Sequence, residues 1–488
     1  MLEVNSHKHL KKYYQKNLAL WPHNLTLTRL ISRSLNRKDN TFIQLSSDSR
    51  NFWWPGLLIP LCLHNNNIVL ILSERQRRLL FEVELPKLRS SRLGFDYVEG
   101  IELTPSDEKV WVLRYQDLIF ANEKGLLKNR QLIFPESEFI SSELRESMSI
   151  QITPKDWDDL IASHSRFEAS IIEVHERLSR SLFSQSLSSD AVIRIDYREL
   201  LALKEILKDD LPSVMPWQRA LNVVNNGWVT WAKLDNQKLS WDWYIQPLFP
   251  LQTLSGLLSK NTLLMLTNSG QRDSFFLDLN SKKFTFNVKV DLGNKYDQEP
   301  IALFVPERQP LPNTSHFYRH IIRQCQRLIL GRTHPTIVLV DDLQLRLQIT
   351  SELAGEFGLR VVHETTNIET NGIVCCSCNW WIANQYNLPI PDQLIFPVIP
   401  LPTLESPWIA AKVEMLKHQG RDWFREFLFP ETLAILLKSL AIIRGKDVRV
   451  AILDGRMRYR SWGKLIFEAL EPWVALERLL PIKINLLD

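Results

Sequence analysis

Apolar and polar positions along the chain alternate between two rhythms. Short continuous apolar runs recur between longer stretches in which apolar residues return every three or four positions. The first half contains "TFIQL" (41–45), "NIVLIL" (67–72), "KVWVL" (109–113), "RQLIF" (130–134) and "NTLLMLT" (261–267). The second half contains "PIALFV" (300–305), "TIVLVDD" (336–342), "LRVVH" (359–363), "GIVCCS" (372–377), "QLIFPVI" (393–399) and "VRVAIL" (448–453). Continuous apolar strands separated by helices predict parallel sheets covered on both faces. They are too many for one compact sheet, so the expected fold class is α/β with two parallel-sheet units.

Residues 152–212 break this rhythm. "PKDWDDLIASHSRFEASIIEVHERLSRSLF" has helical spacing and opens on Pro and acidic residues, the composition of a helix start. "DYRELLALKEILKDDLP" predicts another helix, stopped by Pro212. The stretch reads as a helical insertion. "PERQPLPNTS" (306–315) is proline-rich and reads as the linker between the two units.

Composition narrows the class only slightly. Apolar residues at 45% and charged residues at 23% are ordinary for a globular protein. Lys+Arg 59 against Asp+Glu 55 gives a net charge of +4, so a nucleic-acid-binding surface would have to be local. Trp, at 16 residues, is abundant and predicts core or contact anchors. The five cysteines, Cys62, Cys325, Cys375, Cys376 and Cys378, form no disulfide framework and point to a reducing compartment. The first residues lack the apolar core of a signal peptide, and the longest apolar runs are too short to span a bilayer. A cytoplasmic location without a membrane partner is expected.

Several constellations carry possible chemistry. "TFIQLSSDSRNFWWPGLLIPLCL" (41–63) runs strand, polar loop, apolar helix, the layout of a phosphate-binding loop, yet no Gly or Lys lies between Thr41 and Pro55. Asp341 and Asp342 end a strand, as metal-binding carboxylates do. The later strand "GIVCCSCNWW" supplies no further aspartate, and capping of the next helix is the favoured reading. Cys375 and Cys376 are adjacent and would face opposite sides of a strand, so "CCSC" reads as a buried strand. Glu136 and Glu138 follow a strand end and suit either magnesium coordination or a solvated loop. The basic-aromatic segments 7–16, 73–92 and 444–464 suit nucleic-acid contact or ordinary solvated faces. "WDWY" (241–244) and "NWW" (379–381) would serve as contact sites in a protein-interaction module.

Taken in order, these pieces resemble a DinG/XPD-type DNA helicase of superfamily 2. "GIVCCSCNWWIANQYNLPIPDQLIFPVIPLPTLESP" is similar to the family segment S-F-W-E-G-V-D-x-P-G followed by L-P-F-x-x-P, with Trp381 at the tryptophan and Pro400, Leu401 and Pro402 at the turn. "FPETLAILLKSLAIIRGKDVRVAILDGRMRYRSWGKLIFEAL" resembles the last helicase motif, with Arg444 at its final arginine and Asp454, Arg456 and Gly463 matching beyond it. "LLMLTNSGQ" (263–271) resembles the T-S-A-T-L motif, and "VPERQPLPN" the interdomain linker. The resemblance implies two RecA-like domains: 1–150 and 236–299 for the first, interrupted by a helical insertion at 151–235, and 300–488 for the second.

The departures shape the implied function. The loop at 41–55 should read A-G-T-G-T-G-K-T, whose glycines and lysine hold the phosphates. Here Ser49, Arg50, Trp53 and Trp54 occupy the nucleotide-loop positions, with Trp53 at the lysine and Trp54 at the threonine. The D-E-A-H magnesium motif corresponds to Pro135-Glu136-Ser137-Glu138, so Glu136 remains and the aspartate is lost. The glutamine, glycine and first arginine of the last motif become Leu437, Leu440 and Ala441. The family uses ATP and magnesium, and many members hold an iron–sulfur cluster on four cysteines. The first domain here offers Cys62 alone, so no cluster and no cofactor is expected. The leading expectation is a catalytically degenerate helicase-family protein. It would bind nucleic acid, DNA rather than RNA, through such residues as Trp381, Arg456 and Arg460, or serve assembly. Alternatives are an active helicase using Arg50 and Glu136, and a protein-interaction scaffold.

Overall fold

The computed structural model describes residues 2–16, 21–45, 52–64, 66–102, 109–185, 191–208, 210, 212, 215–223, 227–267, 285–293, 300–385 and 387–476. Its helices begin with an amphipathic pair, α1 (Leu2–Lys16) and α2 (Asn24–Arg37), which precede β1 (Thr41–Gln44). Then come α3 (Trp54–Leu63), β2 (Ile68–Leu72), α4 (Glu74–Leu79), β3 (Tyr97–Glu99), β4 (Val110–Arg114) and β5 (Gln131–Phe134). After an insertion, β10 (Leu263–Thr267) and β11 (Val288–Asp291) complete a parallel sheet of order β11-β1-β10-β5-β2-β4-β3. Its central strands are buried along their length, the condition for continuous apolar runs.

The second unit repeats this plan. Strands β12 (Ile301–Phe304), β13 (Thr336–Leu339), β14 (Val361–His363), β15 (Ile373–Cys376), β16 (Gln393–Phe396), β17 (Arg449–Ile452) and β18 (Trp473–Ala475) form a parallel sheet of order β14-β15-β13-β16-β17-β12-β18. Every apolar run singled out in the sequence is a strand in one of these two sheets. Two seven-stranded parallel sheets flanked by helices are two RecA-like domains.

The insertion carries a sheet as well as helices. Helices α5 (Pro154–Ser163), α6 (Glu168–Phe183), α7 (Arg198–Ile206) and α8 (Trp217–Asn222) follow the expected spacing. Around them, β6 (Ile150–Ile152), β7 (Val192–Ile195), β8 (Trp228–Asp235) and β9 (Ser240–Pro247) pair antiparallel in the order β6-β9-β8-β7. The expected boundary between 235 and 236 therefore falls in the β8–β9 turn, where the Asp235 carboxylate accepts the amides of Gln237 and Lys238 at 3.0 and 3.1 Å. Trp157, Trp217, Trp241 and Trp243 meet in the insertion's core. The buried "WDWY" tryptophans are thus core anchors rather than a contact site.

One segment of the second half belongs elsewhere: contacts group Thr403–Phe427 with the first unit. Its helix α9 (Pro407–His418) lies against the β8–β9 hairpin. Trp408 Nε1 donates to the Pro247 carbonyl at 3.0 Å, Ala411 packs with Val229 and Leu248, and Arg194 pairs with Glu414 at 2.6 Å. The Lys412 side chain is buried, its ammonium 5.4, 5.0 and 4.7 Å from the rings of Phe249, Trp408 and Phe427, a cation–π setting.

Candidate nucleotide site

Parallel strands collect their C-terminal ends at one edge of the first sheet, where ligands bind in open α/β sheets. The end of β1 leads into the loop 46–51, so Ser49 and Arg50 lie outside the described residues. The end of β2 leads to Ser73 and Arg75, and that of β5 to Pro135 and Glu136. β10 sits between β1 and β5 and ends at Thr267; the rest of "LLMLTNSGQ" lies outside the described residues.

A phosphate-binding loop needs a helix whose first N–H groups are open to an anion. The start of α3 is built differently. Its cap residue Trp53 has φ −78° and ψ −16° with no side-chain cap, and Pro55 removes an N–H from the first turn. Trp53 and Trp54 are both 0% exposed and stacked, with ring centroids 4.5 Å apart at 18°. They share a core with Leu10 and Tyr13 of α1, Leu27 and Ile31 of α2, and Ile43 of β1. Both indole nitrogens are buried without a hydrogen-bond partner, a cost that the surrounding apolar contact offsets.

Helix α2 clamps this helix from outside. Asn24 Nδ2 donates to the Phe52 carbonyl at 2.6 Å. At Gly56 a Cβ would lie 2.5 Å from Asn24 Oδ1 and 2.9 Å from Leu27 Cδ2, so glycine serves helix–helix approach rather than phosphate binding. Pro60, inside α3, cannot donate to the Gly56 carbonyl four residues back. Thr28 Oγ1, buried on α2, donates to that carbonyl instead, at 3.3 Å.

The Glu136 carboxylate is 7% exposed and already engaged: Arg75 Nη2 approaches Oε1 at 2.9 Å and Oε2 at 2.7 Å. Arg75 sits in the first turn of α4, whose start is fixed by a reciprocal cap between Ser73 and Gln76. Burial, then the Glu136 carboxylate, pushes the Glu143 carboxyl up, while Arg75 pulls it down. Pro135 occupies the position where the resemblance places a metal-binding aspartate. Among the described residues no group of three or more His, Cys, Asp or Glu side chains is set to hold a metal. One carboxylate already paired with a guanidinium does not fit magnesium coordination, and a Trp pair with Pro55 does not fit a phosphate cradle.

In the second unit, the side chains at the corresponding sheet edge hold backbone. Asp342 caps α10 (Leu343–Phe357), accepting the Leu345 amide at 2.7 Å. Asp341 accepts the amide of Cys378, first residue of α11 (Cys378–Asn384), at 2.8 Å. Asp342 caps the next helix, as its sequence position indicated, whereas Asp341 serves the start of a helix 37 residues further on. Cys375 and Cys376 lie on a fully buried strand. Arg346 of α10 has no signal in the sequence. It is buried and donates to the carbonyls of Val340 and Asp341, to His363 Nε2, and pairs with Glu364 at 3.5 Å.

The family-position residues are drawn into packing. Trp381 is 0% exposed and donates to the Ser439 carbonyl at 2.8 Å. It is a core residue and presents no ring face to a base, which corrects its assignment to nucleic acid; within "NWW", Asn379 is exposed and Trp380 half-buried. Arg444 reaches the carbonyls of Leu470 and Glu471 at 3.2 and 3.5 Å, and burial lowers its pKa. These carbonyls end α12 (Gly463–Leu470), so Arg444 caps a helix C-terminus. Arg456 grips the fully buried Asp454, Nη2 to Oδ2 at 2.6 Å, and Asp454 also accepts the Ile399 amide at 3.0 Å. The ion pair with Asp454 is its structural role. Arg460 is exposed, beside Tyr459 at 60%.

No protein-family model and no curated protein matches the sequence. Solved structures match in fold. An XPD helicase structure is 10% identical at a TM-score of 0.60, covering 94% of this chain and 100% of the other. Xpd4 of S. tokodaii is 10% identical at a TM-score of 0.61, covering 91% of this chain and 98% of its own. A structure titled as apo XPD is also 10% identical, at a TM-score of 0.59 over 92% of this chain. Among the described residues no helix is long and apolar enough to cross a membrane. Two RecA-like sheets, an insertion in the first and a structural likeness over more than nine-tenths of the chain together give it the fold of the XPD helicase structures.

Proposed function

We propose that this helicase-fold protein binds nucleic acid, DNA rather than RNA, or organises an assembly, with its nucleotide site closed. The stacked, buried pair Trp53–Trp54 carries the reading. Two indoles occupy the helix start that would otherwise face phosphates, and Pro55 beside them withholds an amide. The Arg75–Glu136 ion pair supports it, because a guanidinium held against the carboxylate repels a second cation there and Pro135 beside it supplies no further ligand. In this reading the insertion extends through the β8–β9 hairpin, beyond the expected boundary at 235, before the first RecA-like domain resumes.

The test is ATP binding and hydrolysis by the purified chain, with and without single-stranded DNA, beside Glu136→Gln. No binding and no turnover are expected. DNA-stimulated turnover that disappears in the variant would overturn the closed site and make the protein an active helicase with unusual motifs.

A further inference from the structure

The helix pair α1–α2 carries a charge that the rest of the molecule lacks. Residues 1–40 hold eight Lys and Arg against two Asp and Glu, a net of +6, whereas the whole chain totals +4. The remainder is net acidic. The two helices run antiparallel: Ser32 Oγ donates to Ser6 Oγ at 3.1 Å, and Arg33 pairs with Glu3 at 3.3 Å. Their inner faces bury Leu10, Tyr13, Leu27, Ile31 and Leu35.

Their outer faces present cations in two rows. Lys8, Lys11 and Lys12 are exposed on α1, and Arg29, Arg33 and Arg37 on α2. Side chains three or four residues apart stand about 5–6 Å apart along a helix, and packed helices lie about 8–10 Å apart. Glu3 is the one acidic residue in either helix, and Arg33 takes it up. Among the described residues from 2 to 37 no aromatic ring is exposed: Tyr13 and Trp21 are buried, and Tyr14 is half-buried.

We propose that the outward face of the α1–α2 pair binds the phosphate backbone of duplex nucleic acid, at a surface distinct from the residues that carry the helicase resemblance. Cations without stacking rings contact phosphates and leave bases unread. A duplex offers the densest charge, one per about 1.7 Å of axis, across both rows. An anionic membrane fits less well, because the apolar faces that would insert are spent on the core. The surface is independent of the closed nucleotide site, and ATP turnover would leave it standing.

The experiment is fluorescence anisotropy of a labelled DNA duplex against the full chain without nucleotide, from about 50 to 200 mM salt. Parallel arms use a single strand and phosphatidylserine vesicles. About five phosphate contacts predict a log–log salt slope near −4.5. Lys8→Ala/Lys11→Ala/Lys12→Ala should flatten the slope by about 3, Arg29→Ala/Arg37→Ala by about 2, and both should weaken binding. The triple Lys→Arg variant should bind as the native chain does, and unchanged far-UV dichroism shows that each variant is folded. Duplex binding with the same slope in folded Ala variants overturns the proposal. So does binding of vesicles, or of single strand alone, with no duplex binding.

Discussion

Replacing Thr28 by Val tests how α2 and α3 lock together. The change keeps the side chain's shape and removes Oγ1, which donates to the Gly56 carbonyl at 3.3 Å in a buried setting. That carbonyl lacks its helical donor because residue 60 is proline. A buried acceptor left without a donor costs about 1–3 kcal/mol, or roughly 5- to 150-fold in an opening equilibrium. Hydrogen–deuterium exchange of peptides covering 24–37 and 54–63 reads that equilibrium locally, which suits a multidomain chain better than a single melting temperature. Exchange should accelerate within this range. Pro60→Ala restores an amide four residues after Gly56, so in the Thr28→Val background it should recover most of the protection. A coupling of about 1–2 kcal/mol between the two sites is expected. Exchange changed less than about twofold by Thr28→Val, roughly 0.4 kcal/mol, would refute the argument, as would a cost that Pro60→Ala leaves untouched.

Other outcomes follow from the same contacts. Trp53→Ala should destabilise the first unit by about 3–5 kcal/mol, seen as a lower denaturant midpoint, without creating ATP binding. Asp454→Ala strands Arg456 and frees the Ile399 amide, with a cost of about 3–5 kcal/mol read by thermal unfolding. His175 packs against Trp157 and Trp241, and burial lowers its pKa although Asp158 and Glu176 pull it up. The unfolded chain takes up that proton more readily, so this contribution is full above about pH 6.5. It is lost as pH falls below that value toward the folded pKa. Tryptophan fluorescence during urea unfolding at several pH values should show the loss, and His175→Asn should flatten it.

The central strands were legible because burial on both faces leaves a continuous apolar run. The strands that escaped notice are edges: Tyr97–Glu99, Val288–Asp291 and Trp473–Ala475 have a single neighbour each and are half-exposed. Polar residues break up the first two, and the third, WVA, is only three residues long, too short to show a pattern. The insertion's sheet was hidden differently, since its alternating tryptophans read as surface anchors before their partners on α5 and α8 were known. At the nucleotide site, the missing glycines and lysine were visible as residue types. The Arg75 partner of Glu136 was not, because 61 residues separate them and only the pairing of β2 with β5 brings them together. Arg444 and Arg456 kept their family positions in the sequence while their carbonyl and carboxylate partners are set by the fold.

The docking of α9 on the β8–β9 hairpin also has a consequence for biosynthesis. Leu248, Phe249 and Trp231 emerge from the ribosome long before Trp408, Ala411 and Met415 arrive to cover them. At translation rates of about 5–20 residues per second, the interval is roughly 8–35 s. Through that interval the nascent insertion shows an uncovered apolar strip, and a chain ending before residue 403 would show it permanently. Chaperone demand during synthesis should therefore centre on this hairpin rather than on either parallel sheet.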